Sequence, residues 1–167
     1  MRTLIIFILL LSFGVSAQHY FGPKIGFTST SGSGNYQNVR LGEIGVSYSY
    51  KPSKWFSVYA DPSFRPSAFR DSNGIKGLNA YVSVPTYASV NIGKDKAIIA
   101  FDAGVINSYG VFGPDKFLGE VIGGLRAGRN GEKVSIEGYW HIGESFTKNS
   151  GSFIQTNFVG VQVLFKL

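Results

Sequence analysis

The sequence predicts an all-β fold, an eight-stranded antiparallel up-and-down transmembrane β-barrel. The clearest evidence lies in residues 81–106, where two runs of alternating apolar and polar side chains flank a short polar turn. A period of two indicates β-strands, and each run has about ten residues, the length with which a tilted strand crosses a membrane. The connectors between such runs alternate in length, and nearly every charge within a run lies on one face.

The composition indicates one membrane-associated domain. Charged residues make up 16% of the 167 residues, against about 25% in a typical soluble domain. The net charge of +6 is dispersed and forms no basic segment, so we expect no nucleic-acid partner. The chain has no cysteine, which excludes a disulfide framework and a cysteine metal site.

The N-terminus has the pattern of a secretory signal peptide. Residues 1–17 combine a basic start, an apolar segment from Leu4 to Leu11, and a small-x-small ending at Ala17. This order is typical of a cleaved signal sequence, and the apolar segment is too short for a spanning helix. We therefore predict a signal peptide over residues 1–17 and an outer-membrane barrel domain over residues 18–167.

The strands are predicted in order along this domain, each from an apolar residue at every second position. Three precede the central pair, and three follow it; the first of those three is rich in glycine and alternates least clearly. The turn after it contains Asn130 and Gly131, a strong signal for a short hairpin. The predicted strands are 19–29, 41–50, 55–66, 81–92, 97–106, 118–128, 133–143 and 153–167.

The connectors alternate between long and short along the whole domain. Bacterial outer-membrane barrels have short periplasmic turns and longer outer loops, so this alternation predicts the cell outer membrane as the location, with both termini in the periplasm. The predicted long connectors are 30–40, 67–78, 107–117 and 144–152, and the short turns are 51–54, 93–96 and 129–132. Pro85 lies inside a strand, where it cannot donate to the ladder, and we expect a bulge there.

The charged face is predicted to point into the barrel. A charge at the membrane midplane costs about 2–4 kcal/mol, whereas a soluble ligand-binding barrel would have an apolar interior and a charged exterior. We expect the interior side chains to form a network in which one arginine pairs with two carboxylates, because buried charges need partners. The predicted interior polar network comprises Lys24, Glu43, Asp61, Arg65, Asp102, Glu120, Arg126, Glu137 and His141.

The long connectors contain aromatic residues that the barrel itself does not need. Tyr36, Tyr109 and Phe112 are predicted to lie well inside their loops, where exposed rings are common binding anchors. Phe69 and Phe117, nearer the strand ends, are predicted to belong to the aromatic girdle at the membrane interface. We therefore predict these three loop residues as contacts for an extracellular or envelope partner that the sequence does not identify.

Several segments resemble a known family. The apolar-x-Pro pattern at residues 82–85, the Ala-Gly at residues 103–104, and the C-terminal segment 160–166 are similar to those of the small porin-like outer-membrane β-barrel family of Bacteroidetes-type bacteria. The resemblance spans the mature chain and implies the eight-stranded barrel fold, but its motifs point to no particular activity. That family usually ends on an aromatic residue, whereas Phe165 here is followed by two further residues.

No catalytic or cofactor motif is present, so we expect neither an enzyme nor a cofactor or metal. The two histidines have no metal-ligand spacing, and phosphate-binding and nucleophile-elbow sequences are absent. The one candidate constellation is His141, Glu144 and Ser145, which resembles the residue types of lipid A deacylases. We expect His141 inside the barrel and Ser145 in a loop, which does not assemble a nucleophile and base.

The function predicted from these features is a monomeric outer-membrane barrel, surrounded by outer-membrane lipid, that acts as a structural or surface-interaction protein through its four outer loops. One alternative is a narrow channel, because Arg65, Arg126 and the five carboxylates could line a pore. Eight strands, however, leave an interior just wide enough for side chains to fill, which favours a plug. A lipid-modifying enzyme is the other alternative.

Overall fold

The fold is described from a computed structural model, which covers residues 17–32, 40–70, 76–94, 96–112, 117–145 and 154–167. The predicted signal peptide lies outside the described residues, apart from Ala17. Nine strand segments are present: β1 Gln18–Gly32, β2 Arg40–Lys51, β3 Phe56–Ala60, β4 Ser63–Arg70, β5 Lys76–Asn91, β6 Ala97–Phe112, β7 Phe117–Asn130, β8 Val134–Ser145 and β9 Ile154–Lys166. No helix in this part of the chain is long and apolar enough to cross a membrane.

The nine segments make eight barrel strands, because β3 and β4 are two halves of one strand. Both halves pair antiparallel with β2 on one side and β5 on the other, and they are separated by Asp61 and Pro62 alone. Each remaining strand pairs with its sequence neighbours, and β1 pairs with both β2 and β9. The predicted closed, antiparallel, eight-stranded barrel is therefore confirmed.

The two faces of the strands separate by chemistry. The buried face is mainly polar, with a smaller apolar cluster made of Tyr20, Tyr59, Tyr87, Ile106, Ile122, Tyr139, Phe158 and Leu164. Large apolar side chains such as Ile25, Phe101 and Trp140 point outward. Of the described outward residues, the charged ones, Arg129 and Glu144, stand at strand ends. This inversion of a soluble protein is what lipid around the barrel requires.

The strand ends differ from the prediction, most of all around the central pair. β5 and β6 have 16 residues each, whereas the sequence predicted strands over 81–92 and 97–106. Pairing continues past the apolar stretch, through Tyr109 opposite Phe117 and Ala80 opposite Phe112. Backbone hydrogen bonds hold these outer ends. The strands therefore continue beyond the residues in which apolar and polar side chains alternate, the pattern that marks the lipid-facing part.

The bulge expected at Pro85 is elsewhere. Pro85 pairs in regular register with Ile106, and the register shift lies between Ala80 and Tyr81. The carbonyl oxygen of Pro85 accepts from the amide of Asp61 at 2.9 Å, so the missing N–H of Pro85 faces the interruption between β3 and β4. Because that strand is already broken at Asp61, no further distortion of β5 is needed.

Candidate functional site

Arg126, on β7, is the hub of the charged network inside the barrel. Its guanidinium donates from Nη2 to Asp102 Oδ2 at 3.0 Å and from Nη1 to Glu137 Oε2 at 2.8 Å. It also donates to the hydroxyl of Tyr87 at 2.6 Å, and its plane lies 4.0 Å from the ring centroid of Tyr59. The side chains of Arg126, Asp102 and Glu137 are fully enclosed, so one arginine joins carboxylates on the two strands that flank its own.

Glu137, on β8, closes the side of the network nearest the short turns. Besides Arg126, its carboxylate accepts from Lys51 Nζ at 2.9 Å and from the Tyr59 hydroxyl at 3.0 Å. Ser135 Oγ donates at 2.8 Å and Gln162 Nε2 at 3.0 Å. These donors occupy the lone pairs of the buried carboxylate, which a charged group enclosed away from water requires.

A second group of charges surrounds Asp61. Lys24 Nζ lies 3.3 Å from Asp61 Oδ2 and 3.2 Å from Glu43 Oε1. The hydroxyls of Ser47 and Tyr87 also donate to Asp61. Because Tyr87 accepts from Arg126 and donates to Asp61, it connects this group to the first one.

A third group stands toward the end of the barrel that carries the long connectors. Arg65 Nη2 lies 2.8 Å from Glu120 Oε2 and donates to Ser108 Oγ at 3.1 Å. The guanidinium also lies 5.7 Å from the ring of Tyr81 and 5.2 Å from that of Phe158. Arg65 and Glu120 are both buried, so charge and aromatic rings together fill this section of the lumen.

All nine residues predicted for the interior are buried inside the barrel. Lys51 belongs with them but was assigned to a turn. It is the last residue of β2 and shares the parity of the inward residues Ser47 and Ser49; this parity was the signal that could have placed it. Among the described residues, no group of three or more side chains is arranged to hold a metal ion.

The candidate constellation for lipid chemistry is not assembled. His141 points inward, and its Nε2 lies 2.7 Å from Asp102 Oδ2. Ser145 is the last residue of β8 rather than a loop residue, four positions along the strand from His141, a separation of about 13 Å. Glu144 is exposed and lies on the opposite face. A nucleophile and its base must lie within hydrogen-bond distance of one another, so these three residues form no triad.

Two of the three predicted contact residues, Tyr109 and Phe112, lie at the end of the barrel with the long connectors. Tyr109 and Phe112 are on β6 and not deep inside a loop, which corrects the prediction; Tyr36 lies outside the described residues. Tyr109 is 56% exposed, Phe112 is 64% exposed and Phe117 is 48% exposed. The rings of Tyr109 and Phe117 meet edge to face, with centroids 5.4 Å apart. We call Tyr109, Phe112 and Phe117 the aromatic rim; Phe117, which the sequence assigned to the membrane girdle, is included because its ring contacts that of Tyr109.

The opposite end of the barrel opens into a cavity of about 890 Å³. Its wall includes the turn after β2, the turn after β5, and the inner faces of β3, β5 and β6. Lys51, Lys54 and Lys94 are among the lining residues, together with Trp55 and Asn91. We call this cavity the short-turn mouth.

Two solved structures show what this architecture is similar to. The Neisserial surface protein A (NspA) superposes with a TM-score of 0.63 at 10% identity, over 91% of this chain and 99% of that one. Ail, the attachment invasion locus protein of Yersinia pestis, solved in complex with the heparin analogue sucrose octasulfate, superposes with a TM-score of 0.51 at 16% identity, over 89% and 99%.

The chain has the fold of small outer-membrane β-barrels. At these identities the likeness shows the fold alone. No protein-family model matches the chain, and no curated protein matches it.

Proposed function

We propose that this outer-membrane barrel is a surface-interaction protein that binds its partner with the end that carries the long connectors. The observation that carries the proposal is the aromatic rim, which combines exposed rings with a rigid support. A strand of about 9–11 residues crosses the hydrocarbon, whereas β5 and β6 have 16 residues each. The ends of these strands therefore extend past the lipid and hold Val111 and Phe112 in water.

Exposed aromatic side chains held on a rigid support are typical binding anchors. A ring brings a large contact area and loses few rotamers on binding. Phe112 is 64% exposed, and the contact of Tyr109 with Phe117 fixes these two rings relative to one another. Unlike the rings of a membrane girdle, Phe112 lies at the last position of its strand. Such a cluster suits a partner that offers an apolar or glycan surface.

The filled interior supports this assignment and disfavours a channel. Charged groups from five strands meet inside the lumen around Arg126 and Asp61, and the side chains of Arg126, Asp102 and Glu137 at the hub are fully enclosed. The interior therefore acts as a structural plug, and the working surfaces are at the two ends. We infer no enzymatic activity, because the one candidate constellation does not assemble.

The proposal also covers the oligomeric state, the family and the route to the outer membrane. We infer that the chain is a monomeric relative of the porin-like barrels of Bacteroidetes-type bacteria, carried to the outer membrane by the signal peptide at residues 1–17. The solved structures with this fold include a surface protein and an attachment protein, so the architecture is compatible with a surface role.

Whole-cell attachment tests the proposal. A strain that lacks the protein would be complemented with the parent chain or with a variant in which Tyr109, Phe112 and Phe117 are alanine. Retention of the cells would be measured on surfaces coated with a sulfated glycan or with protein. A matched control replaces Phe56 and Phe165, exposed aromatic residues near the opposite end, with leucine, which keeps their apolar character.

We expect the rim variant to fold, as judged by heat-modifiable gel migration, and to lose the attachment that the parent and the control restore. If the folded rim variant restores attachment in full, the aromatic rim is not the working surface. If the parent chain itself restores none, the proposed attachment role is wrong.

A further inference from the structure

The short-turn mouth has a cationic character that the interior network does not use. Of the described residues that line it, Lys51, Lys54 and Lys94 are basic and none is acidic; Asp95, beside Lys94 in the sequence, lies outside the described residues. Lys51 is already paired with Glu137 at 2.9 Å. In the part of the chain that the structure describes, neither Lys54 nor Lys94 has a carboxylate within ion-pair distance.

The interior has no need of these two lysines. Among the described residues, four cations there, Lys24, Lys51, Arg65 and Arg126, face the five carboxylates of the network, and His141 contacts one of the carboxylates. Each carboxylate has a cation close to it within the lumen. The positive charge of Lys54 and Lys94 is therefore directed at the opening and not at the plug.

Hydrogen bonds connect and order the two turns that carry these lysines. Asn91 donates from Nδ2 to the carbonyl oxygen of Lys54 at 3.1 Å, and its Oδ1 accepts from the amides of Gly93 and Ile99 at 3.1 Å each. The amide of Asn91 also donates to Trp55 O at 2.8 Å. One side chain thus ties the turn after β2 to the turn after β5, which fixes the backbone beneath both lysines.

The turns themselves are ordered by local hydrogen bonds. Ser53 Oγ accepts from the amides of Trp55 and Phe56 at 3.3 and 3.2 Å, a hydroxyl-capped turn of the kind serine favours. Between the adjacent ends of β6 and β7, the backbone amide of Asn130 donates to Lys96 O at 2.7 Å. A braced cavity loses little conformational freedom when it is occupied, which favours binding.

We propose that the short-turn mouth is a binding site for an anionic group, a phosphate carried by a lipid headgroup or by a soluble periplasmic molecule. Lys54 and Lys94 supply the charge, since lysine ammonium groups bind phosphate as point charges. Trp55 and Asn91 supply an aromatic face and an amide for the remainder of the ligand. Short turns face the periplasm in outer-membrane barrels, so this site is separate from the aromatic rim and is independent of the proposed surface role.

The experiment uses the refolded mature barrel with Trp140 replaced by phenylalanine. The chain has two tryptophans, so Trp55 then becomes the fluorophore. Lys54 Nζ lies 4.9 Å from the centroid of the Trp55 ring, and a phosphate that attracts this ammonium group will change the emission of Trp55. Glycerol 1-phosphate is titrated into the barrel in micelles of a maltoside detergent, which carries no phosphate, with glycerol as the neutral reference, and the affinity is checked by calorimetry.

Two variants of equal charge decide the outcome. Replacing Lys54 and Lys94 with glutamine should weaken binding about tenfold, the size expected for two exposed charge contacts. Replacing Lys133 and Lys166 with glutamine should leave it unchanged, because these exposed lysines lie at the same end but outside the cavity. Arginine at positions 54 and 94 should retain binding. Equal weakening in both glutamine variants, or no saturable binding by the parent, would overturn the proposal.

Changing the lipid distinguishes the two possible sources of the phosphate. The same titration is repeated after phosphatidylglycerol is added to the maltoside micelles, so that a lipid phosphate is present in one arm and absent from the other. If a headgroup fills the mouth, the anionic lipid competes and lowers the apparent affinity for glycerol 1-phosphate. If the affinity is the same with and without the lipid, a soluble phosphate is the ligand. Either result is consistent with the site and identifies what fills it.

Discussion

Replacing Arg126 with methionine tests the interior network most sharply. Methionine keeps an unbranched stem beneath the Tyr59 ring and removes the charge. Glu137 then still has Lys51, Tyr59, Ser135 and Gln162 as donors. Asp102 loses the guanidinium and, of the contacts described above, retains the 2.7 Å contact with His141. The loss therefore falls mainly on Asp102.

Leaving a buried charge without its partner typically costs about 3–5 kcal/mol. We expect the free energy of unfolding of Arg126→Met to fall by that amount. Neutralising the stranded carboxylate as well, in Arg126→Met/Asp102→Asn, should recover about half of the loss, since a neutral amide costs less to enclose than an unpaired charge.

Urea-induced unfolding of the refolded barrel in lipid vesicles, followed by tryptophan fluorescence, measures these differences. Arg129→Met is the matched control. Arg129 is exposed, lies on the same strand, and forms no ion pair within the described residues. If Arg126→Met lies within about 1 kcal/mol of this control, Arg126 is not the hub of the interior and the reasoning fails.

Three further predictions follow from the packing of the barrel. Gly160→Ala should destabilise the protein by about 1–3 kcal/mol, because a Cβ there would lie 2.2 Å from the Tyr139 hydroxyl and 2.5 Å from a backbone oxygen. Its control is Gly123→Ala, where the nearest atom would be 3.9 Å away and stability should change by less than about 1 kcal/mol. Equal effects of the two substitutions would contradict the prediction. Leu125→Arg, in the middle of the outward face, should lower the free energy of unfolding by about 2–4 kcal/mol in the same assay, and Ile92→Arg, beside a short turn, by about 0–1 kcal/mol. If Ile92→Arg has the larger effect, the membrane does not surround Leu125 as the account requires. The intact protein in planar bilayers should give no discrete conductance steps, and steps of uniform size would favour the channel alternative over the plug.

The architecture could be read from the sequence because a strand has a period of exactly two residues along the chain. Once the lipid-facing face of β6 is recognised from residues such as Phe101 and Val105, the inward position of Asp102 is fixed by parity alone. The same rule placed His141 and Glu137 inward on β8. A single register along each strand therefore determines the whole interior face.

The strand ends could not be predicted in the same way. Beyond residue 106 the sequence turns to Asn107, Ser108 and Gly110, residues that favour turns, yet β6 continues to Phe112. There the backbone pairing with β5 and β7 holds the strand, and the side chains face water on the outside. No apolar alternation is required where no lipid is present, so the sequence pattern loses its signal.

Which residues pair with each other inside the network also could not be predicted from the sequence. Arg65 pairs with Glu120, and Lys24 with Asp61, and both pairs bridge strands that are not neighbours in the sheet. Which inward residues face each other across a barrel depends on the stagger of all the strands together. That stagger is set by pairing around the full circle, which no single strand reveals.

The orientation of the barrel in the cell tests the account most directly, because both proposed surfaces depend on it. The chain has no cysteine, so Phe112→Cys and Lys94→Cys each introduce a single thiol at opposite ends. Intact cells are treated with a maleimide on a polymer too large to pass through porins. We predict that the thiol at position 112 is labelled in intact cells and that the thiol at position 94 is labelled only after the outer membrane is permeabilised; the reverse pattern would contradict the account.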